Sequence, residues 1–333
     1  MELVPLNFRL AELVCAAKMA LQMSGVKEGD KITIWTDTRR SRAPQEAFFS
    51  AALALGANPL LLIGTSTSNA MNIPPHELSH DVFKKSDFVL DLASNSWVYT
   101  DPYASIMRSG VPVLQVLASD DVVVRMPPIP EITERAKKLV ERIKNSAECR
   151  ITSNLGTDLV VKRRKRPWVY QSGHVEPPKH LYDSVGVSGI VLYPEVGAVD
   201  GTVVVNGPVA LYTCPSLIPE SPIRITVEGS KITRIDGGRD SKMVEFWFNS
   251  FDDPNSYLFA HTGFGLDWRT GPAPLDPIEI ESMEGGINVA FGSNITPHGE
   301  GDIAAKSHMD AILMEADLLV DEDVLVRDGR IQD

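Results

Sequence analysis

Apolar and polar residues alternate with two different periods along this chain, and the change falls near residue 150. Before it, compact apolar runs are separated by segments with helical spacing. That spacing predicts a helix from about Asn7 to Met23, closed by Gly25. "DKITIWTD" (30–37) reads as a strand with a turn-rich exit, and "APQEAFFSAALALGA" (43–57) as a helix ending at Gly56. "NPLLLIGT" (58–65) is a short, unbroken apolar run of the buried-strand kind. "SDFVLDLAS" (86–94) and "VPVLQVL" (111–117) look the same, with a helix near 102–109 between them. "ITERAKKLVERIKNSAE" (132–148) is a charged amphipathic helix. Strands that alternate with helices predict βαβ units and a parallel sheet.

Beyond residue 150 the period shortens to two. "CRITSNLGTDLVVKRRKRPWVY", "DGTVVVNGPVALY" and "PIRITVEGSKITRIDGG" alternate as strands do, with turns at Asn206-Gly207 and Gly229-Ser230. Helical spacing returns in "MVEFWFNSF" (243–251), and "ADLLVDEDVLVRDGRI" is a hairpin pattern about residues 321–323. The predicted fold class is therefore α/β. A Rossmann-like N-terminal domain with a parallel sheet spans 1–150, and a β-rich C-terminal domain spans 151–333. No GxGxxG or Walker loop follows the first strand, so no nucleotide is inferred.

Charge and cysteine usage narrow the classes. The net charge of −12 over 333 residues argues against a nucleic-acid partner, because phosphate binding needs a basic face. Cys15, Cys149 and Cys214 form no CxxC, so neither a zinc knuckle nor a disulfide framework is suggested. Three free thiols suit a reducing, cytoplasmic location. Arg9, Glu12 and Lys18 interrupt the apolar N-terminal stretch, which reads as an amphipathic helix and not as a signal peptide or membrane span. "KRRKR" (162–166) is the one basic run. It is expected to be a solvated turn or strand edge, the alternative being a face for an anionic substrate.

Candidate chemistry begins at "SHMDAIL". Side chains at i and i+2 of a strand project to one face, so His308 and Asp310 offer an imidazole and a carboxylate together. In "YLFAHTGFGLDW" (257–268), His261 ends an apolar run and enters a segment spaced by Gly263 and Gly265. Glycine allows tight turns and close approach. His261, His308 and Asp310 together make a 2-His-1-carboxylate set. That set leaves positions open on Fe(II), and zinc hydrolases use a similar ligand count. Ligand type alone leaves the metal undecided.

"FAHTGFGLDW", "GGINVAFGSN" and "KSHMDAILMEADLLVDEDVLVRDGRI" resemble the thermophilic metallo-aminopeptidase (aminopeptidase T) superfamily. They are more similar still to its oxidative branch, the 2,5-dihydroxypyridine 5,6-dioxygenases. "SNLGTDL" (153–159) and "YPEVGAVDGT" (193–202) extend the resemblance, which is strongest over 257–331. It implies an α/β N-terminal domain, a β-rich metal-carrying domain and a homo-oligomer. His261 stands where the peptidases carry a glutamate ligand, and Asn288, in "NVAFG", where they carry a histidine ligand. His308 and Asp310 match both branches. The resemblance thus implies a mononuclear Fe(II) site at His261, His308 and Asp310. It implies a ring-cleaving dioxygenase that inserts O2 beside a hydroxylated carbon of a small aromatic substrate such as a dihydroxypyridine.

Several residues are candidates for proton transfer or for holding the ring. Glu195 sits near the place of another peptidase glutamate ligand. His174, Glu176 and His180 lie in a proline-rich loop before a strand, and loops near a site often carry acid–base residues. The dioxygenases have a histidine a few residues before the glycine of that strand, where this chain has Asp183 and Ser184. A pocket histidine of theirs falls near Tyr99. These departures leave the ring itself open. Trp97, Tyr99 and Tyr103 are candidates for packing on a flat ring, or for core. His298 is expected to be an exposed loop histidine, and His76 and His80 to lie on a surface helix without a third ligand. Two rival readings stand beside the dioxygenase. One is a peptidase or amidase using Zn2+ or Co2+ at the same residues. The other is a scaffold that has lost catalysis.

Overall fold

The computed structural model describes residues 8–66, 71–295 and 301–333. The chain divides into two compact units. One comprises Met1–Ser68, Ile73–Ile129 and Gly173–Gly186, and the other Asn69–Asn72, Pro130–Ser172 and Val187–Asp333.

The first unit opens with α1 (Phe8–Met23), β1 (Lys31–Asp37), α2 (Arg42–Ala54) and β2 (Asn58–Gly64). It continues with α3 (His80–Lys84), β3 (Phe88–Leu92), α4 (Asp101–Arg108), β4 (Val113–Gln115) and α5 (Asp120–Arg125). In α1, Leu13, Ala16, Ala17, Ala20 and Leu21 are buried, the stripe expected of a 3.6-residue period. This face packs on α2, which buries Ala47, Phe48, Ala51 and Ala52, and small side chains on both helices permit close approach. The chain then supplies α6 (Pro130–Ile143), β5 (Glu148–Ser153), β6 (Asp158–Lys162) and β7 (Trp168–Gln171) to the second unit. It adds β8 (Tyr182–Ser184) to the first. The result is a five-stranded parallel sheet in the order β2-β1-β3-β4-β8.

One expectation is revised here, and one alternative left open is decided. β2 is not a buried strand: it is the sheet edge, pairs with β1, and leaves Leu60 and Ile63 about half exposed (49% and 59%). Its apolar composition marks a strand but carries no information on its place in the sheet. Trp97 and Tyr103 are core residues. They pack with Trp35, Phe83 and Tyr182, the Tyr103 ring lying 4.6 Å from Trp97 and 5.8 Å from Tyr182, and Tyr99 packs against this cluster.

The second unit continues with β9 (Gly189–Leu192), β10 (Val199–Val205), β11 (Val209–Leu211), β12 (Ile223–Glu228), β13 (Lys231–Asp236) and α7 (Arg239–Asn249). It ends with β14 (Phe259–Gly265), α8 (Pro277–Ser282), β15 (Ile287–Gly292), β16 (His308–Leu313), β17 (Ala316–Val320), β18 (Asp323–Arg327) and β19 (Arg330–Ile331). The strands form two antiparallel sheets, in the orders β13-β12-β10-β6-β5-β17-β18-β19 and β11-β16-β15-β14-β9-β7. The turn at Gly229-Ser230 closes the β12–β13 hairpin with both residues at positive φ (55° and 68°). The turn at Asn206-Gly207 closes no hairpin. It carries the chain from β10 in one sheet to β11 in the other, with the Asn206 Oδ1 accepting from the Met314 amide at 2.8 Å. Helix α6 buries Ile132, Ala136, Leu139 and Ile143 and packs on β7 and β9. Among the described residues, no helix is long and apolar enough to cross a membrane.

Candidate metal centre

The centre is built on three neighbouring strands, β14, β15 and β16. His308 and Asp310 open β16 and project to one face. Ala290 on β15 is the cross-strand partner of both Asp310 and His261. His261 reaches this row through a β-bulge: the register shifts between Phe259 and His261. A bulge re-aims the side chains that follow it, and here it puts His261 on the face that carries Asp310. On the other flank of Asp310 the partner is Ala210 of β11. Methyl side chains on both sides leave room for the imidazoles to lean in.

The donor atoms converge. His261 Nε2 lies 3.3 Å from His308 Nε2 and 3.3 Å from Asp310 Oδ1, and His308 Nε2 lies 3.2 Å from Asp310 Oδ2. All three residues are buried, and among the described residues this is the one group of three or more such side chains placed to hold an ion. Two ligand atoms each about 2.1 Å from one cation stand about 3.0 Å apart at a right angle and about 3.4 Å apart at the tetrahedral angle. The observed separations lie within that interval. His308 Nδ1 donates to the Ser293 carbonyl at 2.7 Å, which turns Nε2 towards the cluster. Asp310 Oδ2 is buried with no hydrogen-bond partner. A buried carboxylate oxygen without a donor is costly, and a cation between the three residues would relieve it. The residues present therefore fit a metal.

The electrostatics agree. Burial lowers the pKa of His261 to about 4, so its imidazole is neutral and its lone pair is available at neutral pH. Burial pushes Asp310 upward, but the two imidazoles, His308 first, and the Asn288 amide outweigh it. The carboxyl settles at about 2. Asp310 is thus a buried anion held ready for positive charge.

Four side chains around the cluster, Asn288, Glu281, Tyr212 and Tyr193, hold places that the sequence did not assign them. Asn288 was marked there as a lost ligand, but its Nδ2 donates to Asp310 Oδ1 at 3.0 Å. Helix α8, capped by Asp276 with Pro277 in its first turn, packs Ile280 against Ala210 and Ile312. That places Glu281 facing Asp310, where burial first and Asp310 next hold its carboxyl well above the ordinary range. The Tyr212 hydroxyl donates to Glu281 Oε1, and the Tyr212 ring lies 5.5 Å from His308. Tyr193 meets His261 edge-on at 5.4 Å. The Asp-Pro that opens α8 was a usable helix-start signal. Nothing local marked Tyr212, and Tyr193 was marked only as the first residue of the "YPEVG" stretch.

The other candidates fall elsewhere. His174, His180 and Tyr99 belong to the first unit. His180 Nε2 lies 2.9 Å from Asp183 Oδ2, both buried, and His174 Nε2 lies 3.6 Å from Glu176 Oε1. Glu195 is in the second unit, outside the cluster. It pairs with Arg164 at 2.7 Å, and that guanidinium holds its carboxyl below the ordinary range. The basic run is the turn between β6 and β7: Arg163 donates to the Arg166 carbonyl, Arg164 pairs with Glu195, and Arg166 pairs with Asp302. His76 Nδ1 accepts from the Leu78 amide and His80 Nε2 meets the Pro75 carbonyl, so both serve the local chain turn. His298 lies outside the described residues.

A parallel α/β unit and an antiparallel β unit with a buried His/His/Asp cluster describe a candidate metalloenzyme. The sequence matches the family model for NicX, 2,5-dihydroxypyridine 5,6-dioxygenase, over residues 12–333, and the chain belongs to that family. It is 22% identical over 257 residues to the 2,5-dihydroxypyridine 5,6-dioxygenase of Pseudomonas putida KT2440, covering 74% of this chain and 71% of the relative. The solved structure of the 2,5-dihydroxypyridine dioxygenase from that organism is similar with a TM-score of 0.85 at 18% identity, covering 97% of each chain. Wild-type AmpT from Thermus thermophilus is similar with a TM-score of 0.69 at 14% identity, over 97% of this chain and 99% of that one. These two likenesses establish the shared fold.

Proposed function

We propose that this protein is a mononuclear non-haem Fe(II) dioxygenase that cleaves the ring of a hydroxylated N-heteroaromatic of the dihydroxypyridine kind. The observation that carries the reading is the buried convergence of His261, His308 and Asp310 in a chain of the NicX family. Fe(II), when bound, supplies a redox-active Lewis acid able to couple an electron-rich ring to O2. Both oxygen atoms end in the product, one carbon–carbon bond of the ring breaks, and the ring supplies the four electrons. No outside reductant enters.

The chain's own residues favour this substrate class. Two imidazole ligands and one carboxylate would bring a single negative charge to the ion. A divalent cation held among them keeps one positive charge, which favours a ring hydroxyl that has lost its proton. Proton transfer is assigned to the acid–base candidates His174, His180, Glu195 and Tyr99.

The test uses anaerobically purified protein reconstituted with Fe(II) or with Zn(II) and offered a panel of dihydroxypyridines and catechols. Stoichiometric O2 uptake with Fe(II) alone, at about one iron per chain, is the expected result. Absence of O2 uptake together with Zn- or Co-dependent cleavage of peptides or amides would overturn it in favour of the hydrolase.

A further inference from the structure

Asp310 has two unlike oxygens. Oδ1 accepts the Asn288 amide at 3.0 Å and lies 3.3 Å from His261 Nε2, whereas Oδ2 is buried with no hydrogen-bond partner and lies 3.2 Å from His308 Nε2. The orientation of the amide follows from chemistry: an ionised carboxylate only accepts, so Asn288 must turn its NH2 to Asp310. Asn288 is itself buried at 4% exposure, on the centre strand, with Gly263 and Ile312 as its cross-strand partners. On the other side of the cluster, one side chain serves two members at once. Tyr212 sets its ring 5.5 Å from that of His308, tilted by 57°, and donates its hydroxyl to Glu281, which faces Asp310 from α8.

We propose that Asn288 and the Tyr212–Glu281 pair are positioning residues that hold Asp310 so that it offers a cation one oxygen, Oδ2. The inference rests on the reading of the triad as a metal site. Its consequence is chemical. A carboxylate pinned at Oδ1 occupies one position on the metal, whereas a carboxylate free to rotate can take two. Pinning Asp310 keeps a further position open for substrate and O2. It also explains a buried asparagine where a second imidazole would add a ligand: the amide contributes a donor to Asp310 and nothing to the ion.

The test is a Co(II) titration of the metal-free protein followed by visible absorption, for wild type, Asn288→Ala and Tyr212→Phe. The second variant keeps the ring against His308 and removes only the hydroxyl, so it remains informative if Asn288→Ala fails to fold. Partners behind a ligand are worth about 10–100-fold in metal affinity. Asn288→Ala is expected to weaken Co(II) binding by about tenfold or more. Its visible band should also lose intensity, as a second carboxylate oxygen raises the coordination number. Tyr212→Phe is expected to shift both readouts in the same direction by a smaller factor. Variants that match wild type within about twofold in affinity, with the same spectrum, would overturn the positioning role while leaving the metal site in place. A wild type that takes up no Co(II) would remove the metal site itself, and this role with it.

Discussion

His261 and Asp310 stand opposite the same residue, Ala290, from the two strands that flank it. Their side chains must lean over that position to come within 3.3 Å. A larger residue there would fill the space in which the donor atoms meet. Ala290→Leu is therefore expected to abolish metal retention while costing about 1–3 kcal/mol of stability from overpacking. Ala290→Gly should keep the metal. Metal content per folded chain, read beside a thermal melt, separates the two effects. A leucine variant with full metal content would show that the donor atoms meet elsewhere.

Removal of the proposed ligands should be more severe than removal of the residues proposed to position them. His308→Ala and Asp310→Asn are each expected to lower metal affinity by more than about 100-fold, beyond the range typical of outer partners. Asp310→Asn is the sharper of the two because it preserves shape. It removes the buried negative charge and leaves Asn288 facing an amide. Isothermal titration with Fe(II) under nitrogen would read the loss. A His308→Ala protein that turned over at the wild-type rate would end the ligand assignment.

The cluster also predicts how the metal-free protein responds to acid. Folding holds the His261 pKa at about 4, below its ordinary 6.5, through burial. Between those values the unfolded chain binds the proton and the folded chain does not, so stability rises with pH across the window and is lost as pH falls through it. Asp310, held at about 2 against an ordinary 3.8, extends the same trend to lower pH. The His261 contribution is on the order of 3 kcal/mol at full development. Thermal melts of the metal-free protein from pH 7 to pH 4 should show a falling midpoint, and His261→Gln should flatten the upper part of that fall. An unchanged slope in the variant would mean that other groups set the acid sensitivity.

Much of this centre was legible before folding because it depends on short-range rules. The His-x-Asp pair needs only the two-residue period of a strand, and β16 supplies it. His261 was recognisable from its place before Gly263 and Gly265, but its orientation was not. That orientation depends on a bulge between Phe259 and His261 that no residue type announces. Tyr212 and Glu281 were invisible for a different reason. They meet 69 positions apart, through a loop after β11 and a six-residue helix that packs on Ala210 and Ile312. In the first unit, three residues, Tyr182–Ser184, are too short a run to read as the fifth parallel strand. β2 was read as a strand correctly and as buried incorrectly, because apolar composition says nothing about which strand ends a sheet.

The same sheet makes a backbone prediction at Gly263. This residue lies between β9 and β15, pairing with Val191 on one side and Asn288 on the other. A Cβ there would sit 2.0 Å from the Ile190 carbonyl oxygen and 3.0 Å from its carbon. The clash is with backbone, which a rotamer change cannot relieve, so Gly263→Ala must force β9 and β14 apart. Disrupted pairing in a fully buried strand belongs with the larger single-residue effects, about 3 kcal/mol or more. His261 is two residues away on the same strand, and its imidazole should lose register with Asp310 as β14 shifts. The variant is therefore expected to melt earlier than wild type and, in the fraction that folds, to bind Co(II) more weakly. Differential scanning calorimetry followed by Co(II) titration at a temperature below both transitions would read the two effects in turn. Wild-type melting would mean that β9 and β14 do not approach this closely at Gly263. Early melting with wild-type Co(II) affinity would mean that the bulge alone, and not the β9 pairing, holds His261 in place.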